Sequence, residues 1–456
     1  MWLNEARLAK SQVYLLLCFS IWSAGAQEAD RPVQITGEIR SRWRAVSSTG
    51  VQPLGTFGEA LQEGQTYVHQ ALVEAQAGIT PGVTAGVLLR LSDEGEAAFR
   101  TGPLRLAEER GSVRLQYQCE NTAVVMGYYR LHLTPLLLMR WDTKDNPEGG
   151  GAVACACPGA GGSLTAGSLE RIEPNLLLEG VKVQGVLGAH SEWLGILARP
   201  RVAEEGSSFQ QFSYALGIRC SAFHRPSTSF RSVGLTFLCH CDDAESVDNP
   251  LAVPYRPQCN WIGDLEAELP VGNRLVFRAE AALSQVDENR LATTDAPQRG
   301  SAVLTEAEVR YPRMQARVAY LRLSPGFRSR YQALSYLPNR EGVRLAAVWE
   351  VRPGRFSAWG FYKRLQSIRP VAGQTYETLG LGNRLALGPT VWGQPAVVLQ
   401  REPGSRRVSL IGELTHAPVR TAELVLRYQY VDYQDPSDPA LDHHTQLLLL
   451  LSSVSW

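Results

Sequence analysis

The chain has 456 residues, with 45 basic and 45 acidic side chains and a formal charge of zero at neutral pH. That balance supplies no long-range field for a polyanion, so a nucleic-acid partner is not expected. At 44% hydrophobic residues and a mean hydropathy of −0.15, the composition is too polar for a bundle of membrane helices, but it suits strands in which every second residue meets lipid.

The first element is an export leader. Arg7 and Lys10 precede an apolar stretch at 13–22, and Ala24-Gly25-Ala26 follows it. A basic start, a short apolar core and a small-x-small site form a secretory signal. Cleavage is expected before Gln27, giving a leader over 1–26 and a single domain over 27–456. The apolar stretch is too short for a spanning helix of about 20 residues, as are the later runs at 136–139 and 447–451. Any membrane crossing must therefore be made by a closed barrel, since only helices and closed barrels satisfy the whole backbone in lipid.

Residues 33–46 set a pattern that recurs along the chain. Val33, Ile35, Gly37, Ile39, Trp43 and Ala45 fall on one side; Gln34, Thr36, Glu38, Arg40, Arg42 and Arg44 fall on the other. Strict period two is a strand with an apolar and a polar face. Hairpins repeat it: 67–79 turns at 80–82 into 83–92, and 261–269 turns at 270–273 into 274–285. Likewise 302–311 turns at Pro312-Arg313 into 314–323, and 343–352 turns at Pro353-Gly354 into 355–364. The last of these, 408–415, is expected to turn around Ala417-Pro418 into 422–431. Pro and Gly supply the backbone angles that these reversals need.

The hairpins are joined by long polar segments at 286–300, 324–341, 365–374 and 432–443. Short turns at one end and long loops at the other are the signature of a transmembrane antiparallel β-barrel, with periplasmic turns and external loops. Counted back from Trp456, the alternation gives about 20 strands, within a range of 16–20 that an even number favours. Between Leu91 and Val233 the alternation is patchy. A secreted all-β sandwich or propeller is the competing fold, but it would turn its polar faces outward and would not need alternating loop lengths.

The polar faces carry opposed charges: Arg40, Arg42, Arg44 and Arg90, then Asp264, Glu266, Glu268, Arg278 and Glu280, then Glu306, Glu308, Arg310 and Arg317. Arg344, Glu350 and Arg427 continue the series. Such residues either tune a water-filled lumen or neutralise one another across strands. Arg40, Arg42 and Arg44 are the best candidate for an anion-attracting row. The residues at 142–174, long and Gly-rich, are the expected constriction.

Seven cysteines follow the leader: Cys119, Cys155, Cys157, Cys220, Cys239, Cys241 and Cys259. Neither Cys155-Ala156-Cys157 nor Cys239-His240-Cys241 has the spacing of common zinc sites, and no metal or other cofactor is expected. Cys239 and Cys241 share a face with Val233, Leu235 and Phe237, as small lipid-facing residues would. Cys241 and Cys259 bracket a loop and are the candidate disulfide in an oxidising compartment. No Gly-x-Ser-x-Gly elbow is present, His132, His190, His224 and His240 are scattered, and an enzyme is not expected. His443-His444 beside Asp442 falls in the last external loop.

The final strand, 445–456, presents Leu448, Leu450, Val454 and Trp456 on alternate positions. It resembles the terminal signal read by the barrel-insertion machinery of bacterial outer-membrane proteins. A second resemblance lies in residues 124–131, Val-Val-Met-Gly-Tyr-Tyr-Arg-Leu, followed by Leu136-Leu137-Leu138, and in His224-Arg225. These are similar to a Gly-Asp-Tyr stretch and a His-Arg-Thr turn in a group of outer-membrane barrels that can carry helix-hairpin-helix segments. Here Leu133-Thr134-Pro135 replaces the group's Gly-Gln-Gly. The resemblances imply an outer-membrane location, with lipid and insertion machinery as partners; the charged polar faces of the barrel make porin-like passage of small polar or anionic solutes the expected role. The alternative is a largely closed barrel with a surface, assembly or export role.

Overall fold

The computed structural model describes residues 33–50, 63–96, 107–131, 176–188, 190–201, 203, 208–221, 232–291, 296–329, 339–369, 374–419 and 421–456. The leader, the segment 142–174, Cys155, Cys157, His132, His224 and Arg225 lie outside the described residues, as do the side chains of Arg40, Arg42 and Arg90.

Twenty strands form one antiparallel sheet that closes on itself. The first five are β1 (Gln34–Thr49), β2 (Gly64–Thr80), β3 (Val83–Glu96), β4 (Ala107–Cys119) and β5 (Thr122–Leu131). Next come β6 (Leu176–Leu187), β7 (Ser191–Arg201), β8 (Gln210–Ser221), β9 (Ser232–Asp243) and β10 (Cys259–Val271). The second half opens with β11 (Leu275–Asp287), β12 (Gln298–Tyr311), β13 (Met314–Leu323), β14 (Arg340–Arg352) and β15 (Phe356–Ser367). It ends with β16 (Thr375–Ala386), β17 (Val391–Glu402), β18 (Ser405–Val419), β19 (Ala422–Gln434) and β20 (His443–Ser455). Each strand pairs with its sequence neighbours, and β1 pairs with β20 from Glu38↔Ser455 to Thr49↔His444. No described strand is shorter than the 10 residues of β5 and β13, enough to cross a hydrocarbon layer at a tilt.

The fold is the all-β barrel that the alternation implies, at the upper end of the expected strand number. Its turns and loops alternate as expected, with two departures. β17 and β18 meet at Pro403-Gly404 on the long-loop side, and residues 222–231 join β8 to β9 on the short-turn side. The expected turn at Ala417-Pro418 is displaced. β18 runs on to Val419, with a shift of register between His416 and Val419 that absorbs the proline. The patchy region resolves into β4 to β8, where Gly127 and Gly180 sit opposite each other at positive φ and interrupt the period.

Closure makes the two faces physically unlike. Outer side chains splay apart: Leu265, Leu283, Leu345, Trp349, Leu381 and Tyr428 are all exposed. At the short-turn end Tyr117, Phe277, Tyr311, Trp349 and Trp456 stand on this face, and at the long-loop end Tyr214, Phe237, Trp261 and Tyr320. An apolar belt between aromatic rings is the surface of a membrane-spanning barrel, and in water so large a patch would aggregate. Inner side chains converge and shield one another, so that even polar ones such as Ser409 and Thr445 are buried. Among the described residues no helix is long and apolar enough to cross a membrane.

Replacing Leu345, 43% exposed at mid-strand, by Arg should cost about 2–4 kcal/mol. Denaturant unfolding of the barrel in lipid vesicles measures this; an unchanged midpoint would mean the faces are reversed.

Candidate functional site

The inner wall of β10 to β13 carries the densest charge. Cross-strand register sets Glu268 opposite Arg278, Arg278 opposite Glu306, and Glu308 opposite Arg317. Arg278 Nη1 donates to Glu306 at 2.7 Å and to Glu308 at 2.8 Å, while its Nε donates to Glu268 at 3.2 Å. Arg317 lies 3.5 Å from Glu306 and 3.7 Å from Glu308. Arg310 also bonds Glu308, and Gln315 donates to it at 2.7 Å. Glu308 is 0% exposed, so it is stable as an anion only because three guanidiniums and an amide surround it. Three arginines face three glutamates, and the cluster contributes little net field.

The other predicted lumen charges are placed similarly. Arg427 Nε donates to Glu413 at 2.8 Å between β19 and β18, with both side chains buried. Glu266 bonds Arg219 two strands away, a bridge that crosses β9 above Gly234, where a side chain would collide with the Glu266 carboxylate. Glu280 and Arg344 are buried on the inner wall, and Arg44 and Glu350 are half-buried there. The structure thus ties Arg278, Arg317 and Arg427 into ion pairs with glutamates on neighbouring strands, and Arg310 to Glu308 two residues before it on β12.

Several inner-wall features have no counterpart in the sequence pattern. Residues 324–329 fold inward over β10 to β12. Asn260 Nδ2 donates to the Arg328 carbonyl at 3.2 Å, and the Arg328 amide donates to Ser284 Oγ at 3.1 Å. Phe327, 1% exposed, packs with Ile262, Ala282, Ala302, Leu304, Leu321 and Leu323. Residues 324–329 thus add a layer on the inner face of the wall. The only local cue was Pro325-Gly326, an ordinary turn signal, and nothing in sequence periodicity says which way a loop folds.

Leu447, Leu449 and Leu451 line the wall too, packed with Val46 and Val425. Trp359 and Phe361 stack at 6.2 Å and lie against Gly382 and Gly380, which leave room for the rings to lie flat. Ser213 Oγ lies 2.6 Å from His240 Nδ1, both buried. On the opposite face Leu448, Leu450, Val454 and Trp456 are exposed, and Trp456 covers Gly37 of β1 at the seam.

The long-loop rim beside β8 to β10 is a small structured unit. Phe209, Val247 and Val253 form a satellite core. Asp242 accepts from Gln211 at 2.6 Å and from the Gln258 amide at 3.0 Å. Cys241 and Cys259 face each other in the register and are joined by a disulfide at the base of this loop.

A closed wall, a polar and charged inner face and an inward-folded loop define a transmembrane β-barrel with a polar lumen. Comparison with one solved structure agrees on the fold. A BenF-like porin from Pseudomonas fluorescens superposes with a TM-score of 0.51 at 11% identity, covering 93% of this chain and 99% of that one. Pseudomonas aeruginosa OpdG gives 0.49 at 12% identity, covering 93% and 99%. No family model matches the chain, and no curated protein matches it in sequence.

Removing Glu308 would leave three arginines short of a counter-ion, so Glu308→Ala should destabilise the barrel by roughly 3–5 kcal/mol. Phe327→Ala should cost a similar ~3–5 kcal/mol by opening a cavity under the inward segment. Denaturant unfolding in detergent measures both. Wild-type stability for Phe327→Ala would mean the segment is not seated on the wall.

Proposed function

We propose that this protein is an outer-membrane channel of porin type that passes small polar or anionic solutes. The observation that carries the reading is the division of the closed wall into an apolar outer belt and an inner face of charged and polar side chains. A charged and polar inner face suits a barrel that holds water.

Selectivity is assigned to β1. Arg40, Arg42 and Arg44 stand on alternate positions of that strand. Their register neighbours are Gln70, Val68 and Thr66 on β2, and Ser453, Leu451 and Leu449 on β20. Alternate strand positions are roughly 7 Å apart. That is within a Debye length of about 8 Å at physiological salt, so the three charges reinforce one another and favour anions. The chain is exported with its leader removed before Gln27, and Leu448, Leu450, Val454 and Trp456 present the insertion signal. On this reading the protein has no catalytic role.

A second reading, a largely closed barrel with a surface, assembly or export role, is favoured by the inward segment 324–329 and by the neutralised cluster. Conductance of the purified protein in a planar bilayer separates the two. An open channel whose anion-to-cation permeability ratio falls when Arg40, Arg42 and Arg44 are all replaced by Gln supports the proposal. Unchanged selectivity would make the row structural, and a silent wild-type protein would favour the closed barrel. Membrane fractionation tests the location, with the mature chain expected in the outer-membrane fraction.

A further inference from the structure

Three sulfurs meet on the outer face at the long-loop rim. Cys239 and Cys241 lie two residues apart on β9 and share its outward face, and strand pairing brings Cys259 of β10 directly opposite Cys241. The three Sγ atoms lie within 4.8 Å of one another. Cys241 and Cys259 are bonded, and Cys239 remains a thiol with its sulfur 3.3 Å from that of Cys241. Cys239 is buried, while Cys241 is half-exposed. Around them on the same face stand Phe212, Tyr214, Phe237 and Trp261, with Phe237 and Trp261 in contact at 5.3 Å.

Thiolates are soft ligands that select Cu(I), Zn(II) and related cations. A metal–sulfur bond of about 2.3 Å places three sulfurs around one ion at separations of the order found here. The aromatic surround shields the buried side, and the half-exposed Cys241 side leaves a position open for a fourth ligand or for exchange.

We propose that Cys239, Cys241 and Cys259, once the Cys241–Cys259 bond is reduced, form a three-thiolate site for a soft metal cation, which the disulfide closes. Opening the site takes two electrons and two protons from a dithiol reductant, which closes to its own disulfide. Binding of a divalent cation then releases three protons, one from each thiol. Reoxidation of Cys241 and Cys259 by a small-molecule disulfide, which takes two electrons from these sulfurs and two protons from water and leaves as two thiols, removes two of the three ligands and expels the ion. The barrel wall is untouched throughout, because both strands stay in register through their backbone bonds.

The test uses the full mature chain with Cys119, Cys155, Cys157 and Cys220 replaced by Ser, so that only the cluster sulfurs remain. After reduction with dithiothreitol and its removal without air, Cd(II) is titrated while the ultraviolet thiolate-to-metal band is followed. One ion per chain is expected, and Cys239→Ser should weaken binding by at least about tenfold, since even losing a supporting contact at a metal site costs 10–100-fold. Cys259→Ser gives a second reading in case Cys239→Ser fails to fold, with the heat-dependent gel mobility of folded barrels reporting folding in each. The unreduced protein should bind no Cd(II). No band after reduction, equal affinity in the serine variants, or equal binding before reduction would each overturn the proposal.

Discussion

Everything in this molecule depends on the closure of its backbone hydrogen-bond ladder. In hydrocarbon an unpaired amide or carbonyl costs several kcal/mol, so a sheet there has no tolerable edge. The seam between β1 and β20 removes the last two edges along a continuous antiparallel register. It is sealed where the Gly37 amide donates to the Trp456 carbonyl at 3.1 Å and the Trp456 amide returns a bond to the Gly37 carbonyl at 3.0 Å. The Trp456 ring occupies the space above Gly37, which has no side chain to dispute it. The terminal aromatic residue thus has a mechanical place in the closed wall as well as a place in the outer belt.

Once the wall is closed, every side chain is committed to one of two solvents. Inside, converging side chains crowd, and charges placed there lose water to their neighbours. Glu308 illustrates the cost and its remedy: the carboxylate is fully covered, but Arg278 and Gln315 donate to it directly. The paired charges of β10 to β13 and of β18 and β19 therefore act first as cross-strand ties. An unobstructed barrel of twenty tilted strands would be roughly 40 Å across, wider than facing side chains can span. Narrowing must come from loops, and Phe327 and its neighbours add a layer on the inner face of the wall.

The rim is not uniform around the barrel. Beside β8 to β11 the connections are held by the Phe209 core, by the Asp242 network, by the Cys241–Cys259 bond and by Arg290, whose amide donates to the Pro257 carbonyl at 2.9 Å. Loops so anchored present a fixed shape to the outside, and the three sulfurs sit at its membrane-facing foot. Lumen wall and rim unit share β10: its inner face carries Glu266 and Glu268, and its outer face carries Cys259 and Trp261.

The barrel was legible in the chain alone, because period two is a local property that each strand carries without its neighbours. The turns at Pro312-Arg313 and Pro353-Gly354 announced themselves through backbone restriction, and the polar positions of Glu280, Arg344 and Arg427 came from parity. The region of β4 to β8 was obscure because Gly127 and Gly180 break the period, and the turn after β18 was misplaced because an irregular pairing can house a proline. Whatever depends on cross-strand neighbours came from the folded register. It set which carboxylates Arg278 would meet, that Glu266 would reach Arg219 across Gly234, and that Phe327 would turn inward. Cys259, eighteen residues from Cys241, joins Cys239 only because β9 and β10 pair in one register. Periodicity tells each residue which side of the wall it occupies; the register, set by all twenty strands at once, chooses its neighbours.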